Sequence, residues 1–133
     1  MCGLAGIWGR IGPTNRAAID RMCDAMVHRG PDAEGRWEAR PDAHGWGPLF
    51  GHRRLAILDL SPAGAQPMAD ATHGHALVLN GEIYNYVELR ERLPAGGAGL
   101  ASSGDTAVLL HTLAQGGPSA VESLRGMFAF AYW

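Results

Sequence analysis

The sequence predicts an α+β fold built as one domain, and three observations carry that prediction. Short apolar runs bounded by glycine, proline or asparagine mark strands at residues 3–8, 33–39, 48–60, 75–80 and 126–133. Apolar residues at helical spacing mark helices between them, over 15–28, from Tyr84 onward and over 106–117. At 133 residues the chain closes over one hydrophobic core and buries about two-thirds of its unfolded surface.

Residues 3–8 (GLAGIW) form the first strand, whose glycines indicate bending or close backbone approach. A helix follows from Asn15 to His28, with Ala18, Ile19, Met22, Ala25 and Met26 as its apolar positions and Thr14 as its N-cap. RGPD (29–32) ends it, because Pro31 disfavours helical geometry at Gly30. The run 48–60 is too long for one uninterrupted strand and gives way to the turn-rich SPAGAQPM. HALVLN (75–80) is a core strand stopping at Asn80 and Gly81. YNYVELRERL opens a helix near Tyr84, with Val87 and Leu89 among its apolar positions and Pro94 beyond its end. AGGAGLASSG (95–104) is small, glycine-rich and read as a mobile loop. Asp105 or the serines before it cap the next helix, Gly116 and Gly117 close it, and Pro118 suits the first turn of another. GMFAFAYW (126–133) is a buried strand reaching Trp133; chain ends are usually polar and surface-placed, so the domain is expected to be incomplete at its C-terminus.

Composition excludes several function classes. Apolar residues make up 47% and charged residues 18%, which argues against disorder. A net charge of -2 leaves no electrostatic footprint for nucleic acid or an anionic membrane, so neither is expected as a partner. All 11 cations are arginine, which removes Schiff-base lysines and the P-loop lysine. No run approaches the ~20 apolar residues of a membrane span and no signal segment opens the chain, so a cytoplasmic location is expected. Cys2 and Cys23 are expected to be reduced, and two cysteines fall short of a zinc knuckle.

Cys2 stands directly after Met1 and is small enough that Met1 is expected to be trimmed. As a new N-terminus it combines a thiol nucleophile with an α-amino group of reference pKa about 7.7–8.0, which can serve as its base directly or through one water. Acyl transfer also needs donors for the developing oxyanion. LNGEIYN (79–85) offers the Asn80 side-chain amide and the Gly81 backbone N–H. Alone, Asn80-Gly81 is more often a hairpin turn, Arg54 a solvated residue and Asp105 a helix cap. The glycines at 3, 6 and 9 read as room for substrate and backbone.

Six ordered blocks, MCGLAGIWG, HRGPD (28–32), GHRRLAILDLSPAGAQPM (51–68), NGEIYNY (80–86), SGDT (103–106) and GMFAFAYW, resemble the class II glutamine amidotransferase domain of glutamine-hydrolysing asparagine synthetases. The likeness spans essentially the whole chain. It implies an N-terminal-nucleophile hydrolase fold, an αββα sandwich of two mostly antiparallel sheets, here C-terminally truncated and without the synthetase domain. It also implies that Cys2 attacks the glutamine side-chain amide, forming a γ-glutamyl thioester and releasing ammonia, after which water hydrolyses the thioester to glutamate. In that resemblance Asn80 and Gly81 form the oxyanion hole, Arg54 grips the substrate α-carboxylate, and Asp105, with help from the backbone at Glu82, receives the α-ammonium. No cofactor or metal is implied for this chain; ATP and Mg²⁺ belong to the missing synthetase domain, which would amidate β-aspartyl-AMP. The implied partners are L-glutamine and a synthetase domain or subunit, with a homodimer open as an assembly. The resemblance departs at Ala107, where the family usually carries an acidic residue; the lost helix-terminus interaction is about 0.3–1 kcal/mol.

Two other readings stay open at this stage: an asparagine synthetase-like amidotransferase with a peptide or sugar-acid acceptor, and a non-catalytic truncated binding or regulatory module. Arg53, beside Arg54, is a second candidate for the substrate match and a candidate solvated strand residue. His73 and His75 read as loop histidines rather than metal ligands. His28 and His52 read as structural hydrogen-bonding groups, Cys23 as core, and Trp8, Trp37 and Trp46 as packing.

Overall fold

Alternation along the strands decides how the layers stack. On β1 (Gly3–Arg10) and β3 (Trp46–Arg54), successive side chains face opposite sides of the sheet. Ala5 and Leu49 face one way and pack on Ile19 and Cys23 of α1 (Pro13–Ala25). Leu4 and Phe50 face the other way and meet Ala76 and Val78 of β5 (His75–Ile83) and Ala131 of β6 (Gly126–Tyr132). On the far side of β5, Leu77 and Leu79 pack on Val108, Leu109 and Leu113 of α3 (Asp105–Gly116) and on Leu89 of α2 (Tyr86–Arg92). With β2 (Ala33–Glu38) and β4 (Met68–Asp70), the sheets run β1-β3-β2 and β4-β5-β6, every pairing antiparallel. The layers are helix, sheet, sheet, helix, an α+β sandwich of the N-terminal-nucleophile type. This computed structural model describes residues 2–133, so the expected trimming concerns a residue, Met1, outside the described residues.

Several local expectations change. α1 begins at Pro13 behind Gly12 with no side-chain cap; proline at the first helical position displaces Thr14 from the capping role. It ends at Ala25, and the amides of Met26, Val27, Arg29 and Gly30 continue in tight turns to carbonyls three residues back. Cys23 is fully buried while Met22 is 41% exposed, so the core stripe is Ile19, Cys23 and Met26. β5 does not stop at Asn80-Gly81 but runs through both to Ile83. β6 is only partly buried: Phe128, Phe130 and Tyr132 pack on the α3 side and Ala131 on the inter-sheet core, while Met127 is 69% exposed. α3 has Gly104 as N-cap and no side-chain cap, so neither Asp105 nor the serines take that place. Part of the expected loop 95–104 forms a short 3₁₀ turn, Pro94–Gly97, and Ser102 and Gly104 are buried. The turn expected at Pro118 is the 3₁₀ segment Gly117–Ser123. Trp37 stacks on Phe50 at 5.5 Å, and Trp8, 57% exposed, lies 5.3 Å from Trp133. Cβ atoms at Gly3 and Gly9 would collide with Met26 and Asn15, so those glycines admit neighbouring side chains rather than substrate.

One buried histidine joins the sheets. His52 is fully buried and its Nε2 donates to the Leu79 carbonyl at 3.1 Å, which fixes the neutral tautomer protonated at Nε2. Burial pushes its pKa from 6.5 to about 4; the Leu79 carbonyl opposes that shift and the Arg54 charge adds to it. The unfolded chain therefore takes up this proton first, and stability falls as pH drops from 6.5 towards 4, by about 3 kcal/mol from this residue. Asp105, whose carboxyl is raised by burial, works in the opposite sense at the acid end. Urea unfolding at about pH 7 and about pH 4.5 is expected to show a larger loss for the native chain than for His52→Gln. Equal losses would remove His52 as the cause.

Candidate active site

The register carries Cys2 to a sheet edge facing the second sheet. Gly3 pairs with Arg53, so Cys2 stands opposite Arg54, on the face that also holds Leu4 and His52. Its carbonyl accepts from Arg29 Nε at 3.0 Å and its Sγ accepts from the Leu55 N–H at 3.3 Å, fixing both ends of the residue. Sγ also lies 3.5 Å from the Leu55 carbonyl. Cys2 is half-buried and Cys23 buried, and both are free thiols.

Cys2 lines a narrow cavity of about 50 Å³ together with Arg54, Gly81, Glu82 and Asp105. Five of the six residues singled out in the sequence are thus brought together from four separate segments. Asn80 is the exception. It follows Ala76 and Val78 on the β5 face turned to the other sheet, lines neither cavity that Cys2 lines, and buries Oδ1 without a partner among the described residues. A second, more apolar cavity of about 110 Å³ reaches Cys2 between Ile57, Tyr84 and Met127.

Hydrogen-bond alternation along β5 places the Gly81 N–H. Ala76 and Trp133 exchange both backbone bonds, so the N–H and C=O groups of the even-numbered β5 residues point to β6 and those of the odd-numbered ones point away from it. On that outer edge Leu79 N–H donates to Gln66 Oε1 at 2.6 Å and Ile83 N–H to Asp105 Oδ2 at 2.9 Å. Gly81 N–H lies between them, beyond the last β4 pair at Leu77, and on the cavity side. Its φ of +133° favours glycine, and a Cβ there would sit 2.6 Å from Phe128 Cα.

The charged groups differ in how they are held. Arg54 donates through one guanidinium nitrogen to the Asp59 carbonyl and through the other to the Ser61 carbonyl at 3.0 Å, leaving further donors for an anion. A side chain at Gly64 would occupy the guanidinium's place. Asp105 opens α3 at its positive end, yet burial pushes its carboxyl up. Glu82 is pushed up by burial and by the Asp105 charge. A cation bound between these carboxylates relieves both.

Three lining residues escaped the sequence reading. Gln66 bridges Leu79 N–H to Thr106 Oγ1 at 3.2 Å, while Asp59 accepts from Ser102 Oγ at 2.6 Å and from Ser61 N–H at 2.9 Å. Their only sequence signal was membership of quoted blocks or loops. Arg53 is neither solvated nor in the cavity: it donates to the Cys23 carbonyl at 3.1 Å and pairs with Asp24 and Glu34, joining α1 to β2. His73 lies 2.6 Å from Asp70 Oδ2 at the β4–β5 turn. No cluster of three or more His, Cys, Asp or Glu side chains suited to a metal occurs among the described residues. No helix among them is long and apolar enough to cross a membrane.

Comparison with known proteins places this arrangement. The family model described as "Glutamine amidotransferase domain" matches residues 1–133. Asparagine synthetase (glutamine-hydrolyzing) 1 of Bacillus subtilis is 41% identical over the whole chain, which covers 21% of that protein. A Mycobacterium tuberculosis protein provisionally named asparagine synthetase (glutamine-hydrolyzing) is 42% identical over the whole chain, covering 22% of its length. A Gibberella zeae protein named amidase chry2 is 39% identical over 86% of the chain, covering 16% of its length. The chain spans about a fifth of the length of the two synthetases. It belongs to the glutamine amidotransferase domain family.

Proposed function

We propose that this chain is the glutaminase part of a glutamine-dependent asparagine synthetase, with Cys2 as its nucleophile. The observation carrying the proposal is that Cys2, Arg54, Gly81, Glu82 and Asp105 line one cavity. With Met1 removed, the free α-amine takes the thiol proton as sulfur attacks the side-chain carbonyl of L-glutamine. An S–C bond forms, the C–N bond breaks, and the same proton leaves on ammonia. Water then hydrolyses the γ-glutamyl thioester to glutamate and regenerates the thiol. The Gly81 N–H, with the Asn80 amide after a rotation of its side chain towards the cavity, stabilises the oxyanion. Arg54 holds the α-carboxylate, and Asp105 with Glu82 the α-ammonium; their opposed carboxylates support a cationic ligand.

On this reading residues 1–133 are one glutaminase domain, continued in the full protein by a synthetase domain. That domain would use ATP and Mg²⁺ to present β-aspartyl-AMP to the ammonia, in the cytoplasm and in a chain able to form a homodimer. A different acceptor is the second reading; one relative, 39% identical over 86% of the chain, is named an amidase rather than an asparagine synthetase. The deciding experiment joins intact-mass analysis with a glutamate-release assay. Loss of Met1 with glutamate production is expected; retained Met1 with no glutamate would sink the reading. Arg54→Lys is expected to raise KM for glutamine about tenfold to a hundredfold with kcat within a few-fold, because an ammonium cannot reproduce the bidentate grip. An unchanged KM would take Arg54 out of carboxylate binding.

A further inference from the structure

We infer that Ser102 and Asp59 form a clasp that positions Arg54 relative to Asp105 and thereby sets the affinity for glutamine; the inference rests on the glutaminase reading above. Neither residue needs to touch substrate or reacting atoms, so both are positioning residues.

Three bonds converge on Asp59. Its Oδ2 accepts from Ser102 Oγ at 2.6 Å, its Oδ1 accepts from Ser61 N–H at 2.9 Å, and its carbonyl accepts from the Arg54 guanidinium. Ser61 adds the second carbonyl that holds Arg54, at 3.0 Å. The Asp59 turn therefore fixes the guanidinium from one side, and Ser102 fixes the turn. Ser102 is itself anchored beside the other recognition group: its Oγ accepts from the Gly104 N–H at 3.1 Å, one residue before Asp105. The path Arg54, Asp59, Ser102, Gly104, Asp105 thus spans the cavity from the α-carboxylate site to the α-ammonium site.

The helix terminus explains why a serine can take this place. Gly104 is the N-cap of α3, and Ala107 occupies the position from which a glutamate in a capping box would reach back to the N-cap N–H. With alanine there, 2% exposed, the Gly104 N–H turns to Ser102 instead. The hydroxyl then has its proton free for Asp59. Ser102 is 3% exposed, so the serine end of the bond is buried while Asp59 stays partly exposed. The side-chain bond from Ser102, ahead of that from Ser61, holds the Asp59 carboxyl down at about 2, so it is ionised and charge-assisted across the working range of pH.

The test compares Ser102→Ala, Ser102→Thr and Asp59→Asn in the full chain, by steady-state glutamine hydrolysis and by glutamine protection of Cys2 against iodoacetamide. Ser102→Ala and Asp59→Asn are expected to raise KM about tenfold. They should raise the protecting glutamine concentration equally and leave kcat within about twofold. Ser102→Thr, which keeps the hydroxyl, is expected to restore KM to near the native value. Alkylation of Cys2 without glutamine should proceed at the native rate in all three. A KM unchanged in Asp59→Asn, a fall in kcat at constant KM, or failure of Ser102→Thr to recover KM each overturns the clasp. If Ser102→Ala does not fold, Asp59→Asn and Ser102→Thr decide alone. Failure of the glutaminase reading looks different: the native chain itself neither releases glutamate nor is protected by glutamine.

Discussion

Cys2→Ala is expected to lower glutamine hydrolysis by at least about a thousandfold while leaving the fold intact. Alanine is small enough at position two for Met1 removal to continue, so the variant keeps the α-amine and loses only the thiol. Structurally the change is mild. The sulfur accepts one backbone bond, from Leu55 at 3.3 Å, and Cys2 is half-buried at the start of a strand held by eight backbone pairings with β3. A stability change within about 1 kcal/mol is expected from the lost bond. The check is glutamate release beside thermal unfolding. Residual activity within tenfold of native at an unchanged melting temperature would mean that another group performs the attack. Because Arg54, Glu82 and Asp105 remain, the variant should still bind glutamine, and calorimetric titration separates loss of chemistry from loss of the site.

That contrast also shows what the sequence could and could not disclose. Helical spacing exposed Ile19 and Cys23 as the buried side of α1, and the unbroken apolar run HALVL exposed β5 as a core strand. Both signals are local and periodic, and burial follows directly from them. The failures are local signals overruled from a distance. Asn80-Gly81 carries a strong turn preference, yet Gly81 pairs with Phe128 of β6 and the strand continues. The apolar density of GMFAFAYW suggested a buried strand, but at the sheet edge Phe128, Phe130, Ala131 and Tyr132 are only partly covered and Met127 faces solvent. The site divides in the same way. Cys2 is visible because its position directly after Met1 would give it a second functional group once Met1 is removed. Ser102, Asp59 and Gln66 are invisible because their roles are side-chain bonds across long stretches of chain, and no spacing rule pairs a loop serine with an aspartate on another loop.

Gly81→Ala is expected to be the most damaging single-methyl change at the cavity, destabilising the chain by about 2–5 kcal/mol. Two independent costs meet there. The backbone sits at φ +133°, where an L side chain is strained, and the new Cβ would lie 2.6 Å from Phe128 Cα and still closer to the Met127 carbonyl. Those neighbours are backbone atoms of the paired strand and cannot rotate away. Relief requires β5 and β6 to separate locally, and the same closeness recurs at Gly126, opposite Ile83, where an added Cβ would meet the Glu82 carbonyl. Moving β5 also turns the Gly81 N–H away from its place between the bonds that Leu79 and Ile83 make to Gln66 and Asp105. Activity should therefore fall further than the folded fraction does. Urea unfolding measures the first effect, and kcat per folded molecule the second, with a loss of about a hundredfold expected for a misplaced oxyanion donor. If stability falls as expected while kcat per folded molecule is unchanged, Gly81 is a packing residue and its N–H has no part in the chemistry. If both fall, the close approach of β5 to β6 is what aims the donor, and the strained glycine serves fold and reaction through the same backbone torsion.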